Sequence, residues 1–346
     1  MNDWRRGLVE SVGGSHPLRL ASVVALSLIS FTTASCSPQG GGGPAALRIG
    51  MIPKLENIPY FKACERGARE AAAELGVELV YRGPSNNRVE DQIPIVEDMI
   101  QLGLDVIAVA PNDPEAIAPV LRKARDQGIV VLTWDADANP KASGRNAFCN
   151  QTPTDELAYT LVDVVAEAIE GRGKAVIVSS TPTAPNQNAW IRFMEARLKE
   201  AYPDVQLLPT LYPDEDVGKA RQMTAGVLAA HPDLKGVWGL TSVAVPGAAE
   251  AVRQAGRRGQ VAVTGVTLPS ELREYVKDGT VAKFCLWNPE DLGYLAVYVG
   301  KMIRDGALKE GEQNVGRVQG VRVKGDEVVL GPPIVFTKEN IDEYDF

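Results

Sequence analysis

From Leu47 onward the chain repeats one device: a short run of β-branched and apolar residues, then a longer amphipathic segment. "LRIGMIP", "VELVYRG", "DVIAVAPN" and "IVVLTWD" are such runs. "YFKACERGAREAAAELG", after the first, spaces its apolar residues as a helix does and closes on Gly76. A strand that is apolar throughout needs cover on both faces, and helical connections supply it. This alternation therefore predicts parallel sheets clad with helices. Helices are expected around residues 88–102 and 114–127, with Pro94 shifting the start of the first or kinking it. The pattern then restarts. "NAFCNQ" is a short extended piece, and "TPTDELAYTLVDVVAEAIEG" opens with a capping sequence. "KAVIVSS", "VQLLPTLY", "GVWGLTS" and "VAVTGV" are strands, with helices near 187–201, 216–230 and 246–255. Two such series in 346 residues predict two lobes. "VAKFCLWNP", the helix "EDLGYLAVYVGKMIRDG" and short strands within 318–336 are too few for a third. They are expected to complete the first two, so the chain crosses between lobes more than once.

The net charge of −8 excludes a basic nucleic-acid footprint and electrostatic docking on anionic lipid. Residues 1–35 read separately, as a secretory signal. Arg5, Arg6 and Arg19 precede "LASVVALSLISFTTAS", which is too short and too rich in Ser and Thr to span a bilayer. Cys36 and "SPQGGGGP" follow, making residues 36–46 a flexible tether. "TASC" resembles a bacterial lipoprotein cleavage site, with Thr33 where Leu is commonest, and implies lipidation of Cys36. Plain secretion and an uncleaved anchor are the alternatives; all three export the protein.

Beyond Cys36 only Cys64, Cys149 and Cys285 remain, too widely spaced for a disulfide framework or a zinc site. Three buried thiols, or one bridge, are open. Of two histidines, His16 lies in the signal and His231 in the connection "AAHPDLKG". Histidine-based catalysis and multi-histidine metal sites have little to rest on. Phosphate-loop, G-x-S-x-G, H-E-x-x-H and dinucleotide-turn motifs are absent. The sequence predicts no enzyme, no metal and no cofactor.

In open parallel sheets, ligands bind beyond the carboxyl ends of the strands. Those ends carry Lys54, Asn112, Asp135 and Asp137 in the first series, and Asn186, Gln187, Thr241 and Ser242 in the second; Trp287 follows the late strand. Carboxylate, amide, hydroxyl and ammonium groups can satisfy the hydroxyls of a small polyol. Phe61, Trp190 and Trp287 can cover the apolar face of a sugar ring. Asp135 and Asp137 lack the further acids a calcium loop needs. Asn186 is also placed to cap its helix.

"IGMIPK", "VLTWDADANP", "PTAPNQNAW", "VTGVTLPSELREYVKDGTV" and "LWNPEDLGYLAVY" together resemble the type I periplasmic sugar-binding proteins of ABC importers. The similarity is to the rhamnose-binding and autoinducer-2-binding branch and runs from about residue 47 to the terminal "FTKENIDEYDF". It implies two doubly wound lobes joined by three crossovers, a first of 47–147 plus 268–306 and a second of 148–267 plus 307–346. The autoinducer-2 receptors bind through a Lys after the first strand, the Asp of W-D-S-D, an Asp-Gln pair and a Pro-Asp-Ala. Lys54, Asp135 and Gln187 match; Asn186 replaces the Asp, and Leu240-Thr241-Ser242 stands where Pro-Asp-Ala would be. "NQNAW" and "TSVAVPGAAEAV" look more like the rhamnose-binding side. The resemblance thus implies a monomeric, exported receptor that delivers a sugar such as rhamnose to permease subunits, touching the membrane only through its lipid. Autoinducer-2 binding, for uptake or chemoreception, is the alternative. Asp135 is assigned to ligand hydroxyls and Asp137 to the turn that aims it.

Overall fold

A computed structural model describes residues 46–346; the expected signal, Cys36 and nearly all of the tether lie outside them. Two mostly parallel sheets carry the chain. The first is built from β1 (Arg48–Ile52), β2 (Glu78–Tyr81), β3 (Val106–Val109), β4 (Val130–Trp134) and β5 (Ala147–Asn150). The second holds β6 (Arg172–Val178), β7 (Asp204–Leu207), β8 (Leu234–Gly239) and β9 (Ala262–Gly265), in the order β7-β6-β8-β9. β10 (Phe284–Leu286) follows, bridged to this sheet through Val266 and Cys285. β11 (Gly311–Val315), β12 (Val318–Lys324) and β13 (Glu327–Val329) return to the first sheet, giving the order β11-β12-β13-β5-β4-β3-β1-β2. β14 (Ile334–Phe336) goes back to pair antiparallel with β10.

Helices lie between these strands. α1 (Pro59–Leu75), α2 (Val89–Gln101), α3 (Ala118–Asp126) and the short α4 (Pro140–Ser143) precede the first crossing. α5 (Thr154–Ala168), α6 (Pro185–Ala201), α7 (Val217–Ala230), α8 (Ala244–Gln254) and α9 (Pro269–Lys277) follow it, and α10 (Pro289–Arg304) comes after the second. Period-two alternation sorts the first sheet's side chains. Ile49, Met51, Val106, Ala108 and Leu132 belong to the core that α1 and α10 cover. Ile52, Ile107, Val109 and Val131 belong to the opposite core, with residues of α2 and α3. The chain crosses between the sheets three times: after β5, between β10 and α10, and between β13 and β14.

Some expectations need correction. Residues 311–329, expected in the second lobe, extend the first sheet, because β13 pairs in parallel with β5. α9 and β10, expected in the first lobe, pack with the second: α9 contacts α8, and β10 adjoins β9. A strand's own residues do not say which edge will accept it. α2 runs unbroken through Pro94, whose exposed position leaves the freed carbonyl to water. α5 begins where expected, yet Pro153 is its N-cap and no side-chain cap bond forms. The three thiols are buried and unbonded.

α1 and α10 touch backbone to backbone. A Cβ on Gly67 would lie 1.8 Å from the Glu290 carbonyl oxygen, and one on Gly293 would lie 1.9 Å from that of Cys64. No rotamer change relieves a clash with main chain. Gly293→Ala is therefore expected to destabilise the fold by about 2 kcal/mol in urea unfolding, even after the gain in helix propensity. An unchanged midpoint would mean that the helices separate freely.

Candidate functional site

The carboxyl ends of both sheets converge on one cleft. Its lining includes Lys54 after β1, Asp135 after β4, Tyr60 and Phe61 on α1, and Trp287 after β10. From the other sheet come Asn186, Gln187 and Trp190 on α6, Thr241 and Ser242 after β8, and Glu215 before α7.

Asp135 is the centre. It is 3% exposed and has φ 62, a left-handed conformation that Asp tolerates better than most residues. The tight turn is closed by Ala136 N–H donating to the Trp134 carbonyl at 2.6 Å. One carboxylate oxygen accepts the Tyr60 hydroxyl at 2.7 Å. The other lies 3.3 Å from Lys54 Nζ and 3.4 Å from Asn186 Nδ2. Trp287 Nε1 in turn donates to the Tyr60 hydroxyl at 3.0 Å. Burial, and then the neighbouring Asp135 charge, push the Tyr60 pKa well up, so the phenol remains a donor.

The two sides meet directly. Lys54 Nζ donates to Asn186 Oδ1 at 2.6 Å, and the Thr183 hydroxyl to the Asn112 carbonyl at 3.3 Å. Ala184, not Asn186, caps α6, which leaves the Asn186 amide free to reach across the cleft. Gln187 is 5% exposed and its Oε1 has no partner. The Thr241 hydroxyl accepts from Ala244 N–H at 3.1 Å, so its own proton is available for donation. Trp190 and Trp287 stand 6.1 Å apart, tilted, as a buried aromatic wall, with Phe61 packed edge-on to Trp134 behind.

Nine of the ten expected binding residues thus line one cleft: Lys54, Phe61, Asp135, Asn186, Gln187, Trp190, Thr241, Ser242 and Trp287. Asn112 stands behind it. Its amide donates to the Lys54 carbonyl at 2.9 Å, and its backbone N–H to Gln92 at 2.9 Å, so it steadies the lysine loop. Asp137 turns away from the cleft lining and accepts both Arg145 Nε at 2.5 Å and Nη2 at 2.6 Å. Tyr60 and Glu215 are among the lining residues that sequence reasoning missed, with Ile58, Leu240, Val266, Thr267 and Leu286. Tyr60 adjoins Phe61 in "YF", a signal that was available; Glu215, inside "YPDED", had none beyond its place after a strand. His231 ends α7 outside the lining. Among the described residues no acid, His or Cys cluster could hold a metal, and no helix is long and apolar enough to cross a membrane.

A family model for the periplasmic binding protein domain matches residues 49–308. The D-ribose/D-allose-binding protein of Pseudomonas aeruginosa is 30% identical over 269 residues, 76% of this chain and 83% of that one. An ABC transporter solute-binding protein from Clostridium phytofermentas with bound L-rhamnose is 30% identical, with TM-score 0.81 over 86% of this chain and 98% of that one. LsrB from Clostridium saccharobutylicum in complex with AI-2 is 26% identical, with TM-score 0.80 over 87% and 100%. With two α/β lobes, three crossovers and one cleft between the strand ends, the chain belongs to the periplasmic binding protein family, type I, and is an extracytoplasmic binding protein rather than an enzyme.

Proposed function

We propose that this protein captures a small monosaccharide, L-rhamnose or a similar deoxyhexose, in the cleft and delivers it to an ABC permease. The observation that carries this is the convergence of Lys54 and Asp135 from one lobe with Asn186, Gln187 and Thr241 from the other, beside an aromatic wall. Hydrogen bonds to charged groups are worth about 1.5–3 kcal/mol each, so a few suffice to hold a polyol. The sugar-ring face, apolar and flat, suits Trp190 and Trp287. Ligand contacting both lobes favours the closed form by its differential affinity for that form, and the closed form is what a permease recognises. Lipid on Cys36 keeps the monomeric receptor at the membrane, since the several chains of a bacterial lipoprotein exceed the marginal hold of one.

AI-2, for uptake or chemoreception, is the second reading, because Lys54, Asp135 and Gln187 share the cleft. Against it stand Asn186 and Thr241-Ser242, which remove carboxylates that those receptors use. Calorimetric titration with L-rhamnose, D-ribose, D-allose and AI-2 decides. Tight one-to-one binding of L-rhamnose is expected. Binding of AI-2 alone would transfer the protein to signal handling, and binding of none would sink both readings.

A further inference from the structure

Asp214 and Glu215 form the turn into α7 with φ 57 and 56, two successive non-glycine residues in the left-handed region. Such strain persists only where the surroundings hold it. Here Asp214 N–H is pinned to the Ser180 carbonyl at 3.2 Å, and Asp216 caps α7 by accepting Lys219 N–H at 2.8 Å. Neighbouring Asp214 and Asp216 are exposed, as acids in a surface turn should be. Glu215 alone turns inward. Its carboxyl enters the cleft lining, and Oε2 is shut off from solvent without a hydrogen-bond partner. Burial pushes its pKa up, against the pull of Ser180, Lys54 and Thr241 beside it and with the push of Asp135 across the cleft. A strained backbone and an unpartnered buried oxygen are two separate costs at one residue. Folding draws no visible benefit from either.

We propose that Glu215 is the second lobe's carboxylate in the binding site, where Oε2 accepts a ligand hydroxyl opposite Asp135 and selects uncharged monosaccharides against acidic and phosphorylated ones. The proposal rests on the monosaccharide reading above. It also resolves a gap in it: Asn186 cannot act as a carboxylate, and Glu215 brings one into the same cleft from a different loop. A sugar whose hydroxyls reach both Asp135 and Glu215 spans the lobes, so it gains from closure. The cleft lining then holds two carboxylates and one ammonium, Lys54. An anionic sugar adds repulsion in a water-poor space, where charges are weakly screened.

The test uses the whole protein, with Glu215→Gln, which keeps the shape, and Glu215→Ala. Each is titrated with L-rhamnose, D-ribose and D-allose, then with monodeoxy analogues of whichever sugar binds, and with D-galactose against D-galacturonate. Urea unfolding is measured alongside. Glu215→Gln is expected to weaken the bound sugar at least tenfold, to lose that effect against the one analogue lacking the contacted hydroxyl, and to narrow the bias against the uronate. Its unfolding midpoint should hold or rise, because a buried ionisable group has been replaced by a neutral amide of the same shape. Wild-type binding that both variants match within twofold overturns the role of Glu215 and leaves the monosaccharide reading standing. Loss of affinity spread equally over all analogues, together with a lower midpoint, also overturns it, as a structural role. Failure of the wild-type protein to bind any of the sugars overturns the monosaccharide reading and this inference together.

Discussion

Asp135→Asn is expected to weaken sugar binding by about 3–4 kcal/mol, roughly 10²- to 10³-fold, in calorimetric titration. Asparagine tolerates the left-handed backbone that Asp135 adopts at φ 62, so the loss will report chemistry more than strain. Three donors converge on this carboxylate: the Tyr60 hydroxyl at 2.7 Å, Lys54 Nζ at 3.3 Å and Asn186 Nδ2 at 3.4 Å. Neutralising it leaves the Lys54 ammonium, 7% exposed, without its counter-charge and turns one acceptor into a donor. Ligand hydroxyls that need two acceptors at that point then find one. Asp135→Ala should fall at least as far. An effect below fivefold in both variants would remove Asp135 from the ligand and leave it a purely structural partner of Tyr60.

Arg145→Met is expected to cost about 3 kcal/mol of stability with far less effect on affinity. Arg145 is buried along its side chain, 5% exposed, and grips both oxygens of Asp137, while its Nη1 reaches Asp326 at 2.8 Å. Burial by itself would lower the guanidinium pKa; the bond to Asp137 and the charges of Asp137 and Asp326 outweigh it and push it up. Removing the arginine leaves Asp137, 27% exposed, with the Thr133 hydroxyl at 2.5 Å as its remaining partner. It also removes the side-chain tie between the loop before β5 and Asp326 in the β12–β13 turn, leaving the bond from Phe148 N–H to the Asp326 carbonyl at 2.7 Å. Partial hydration of Asp137 keeps the expected loss at the low end of the range for broken buried pairs. In urea unfolding, Arg145→Met combined with Asp137→Leu should recover much of the loss, because the one acid then left without its partner, Asp326, is exposed to water. A single variant as stable as wild type would show that water replaces the arginine at no cost.

The two aspartates of "WDAD" thus separate by environment rather than by sequence. Both are acids beyond a strand end, and residue type together with the resemblance assigned Asp135 to ligand and Asp137 to the turn. Their burial, 3% for the residue Asp135 and 27% for the Asp137 side chain, follows from which partners approach. Asp135 meets α1 and α6; Asp137 meets Arg145.

What the amino-acid sequence determined by itself was local and periodic. Apolar runs alternating with amphipathic helices dictate parallel sheets, and parallel sheets dictate which strand ends can hold a ligand. That is why Lys54, Asp135, Gln187, Thr241 and Trp287 are legible in the sequence: each directly follows a strand or opens the helix after one. Tertiary structure alone decided three things. It placed β11–β13 on the first sheet, because β5 offers an edge that any strand's backbone can satisfy. It withdrew Asn112 to hold the Lys54 carbonyl. And it turned Glu215 into the cleft, through two left-handed residues that nothing in "YPDED" announces. Periodicity encodes which face of an element is buried; backbone hydrogen bonds and turn conformations bring distant side chains together, and those are settled only when the whole chain packs.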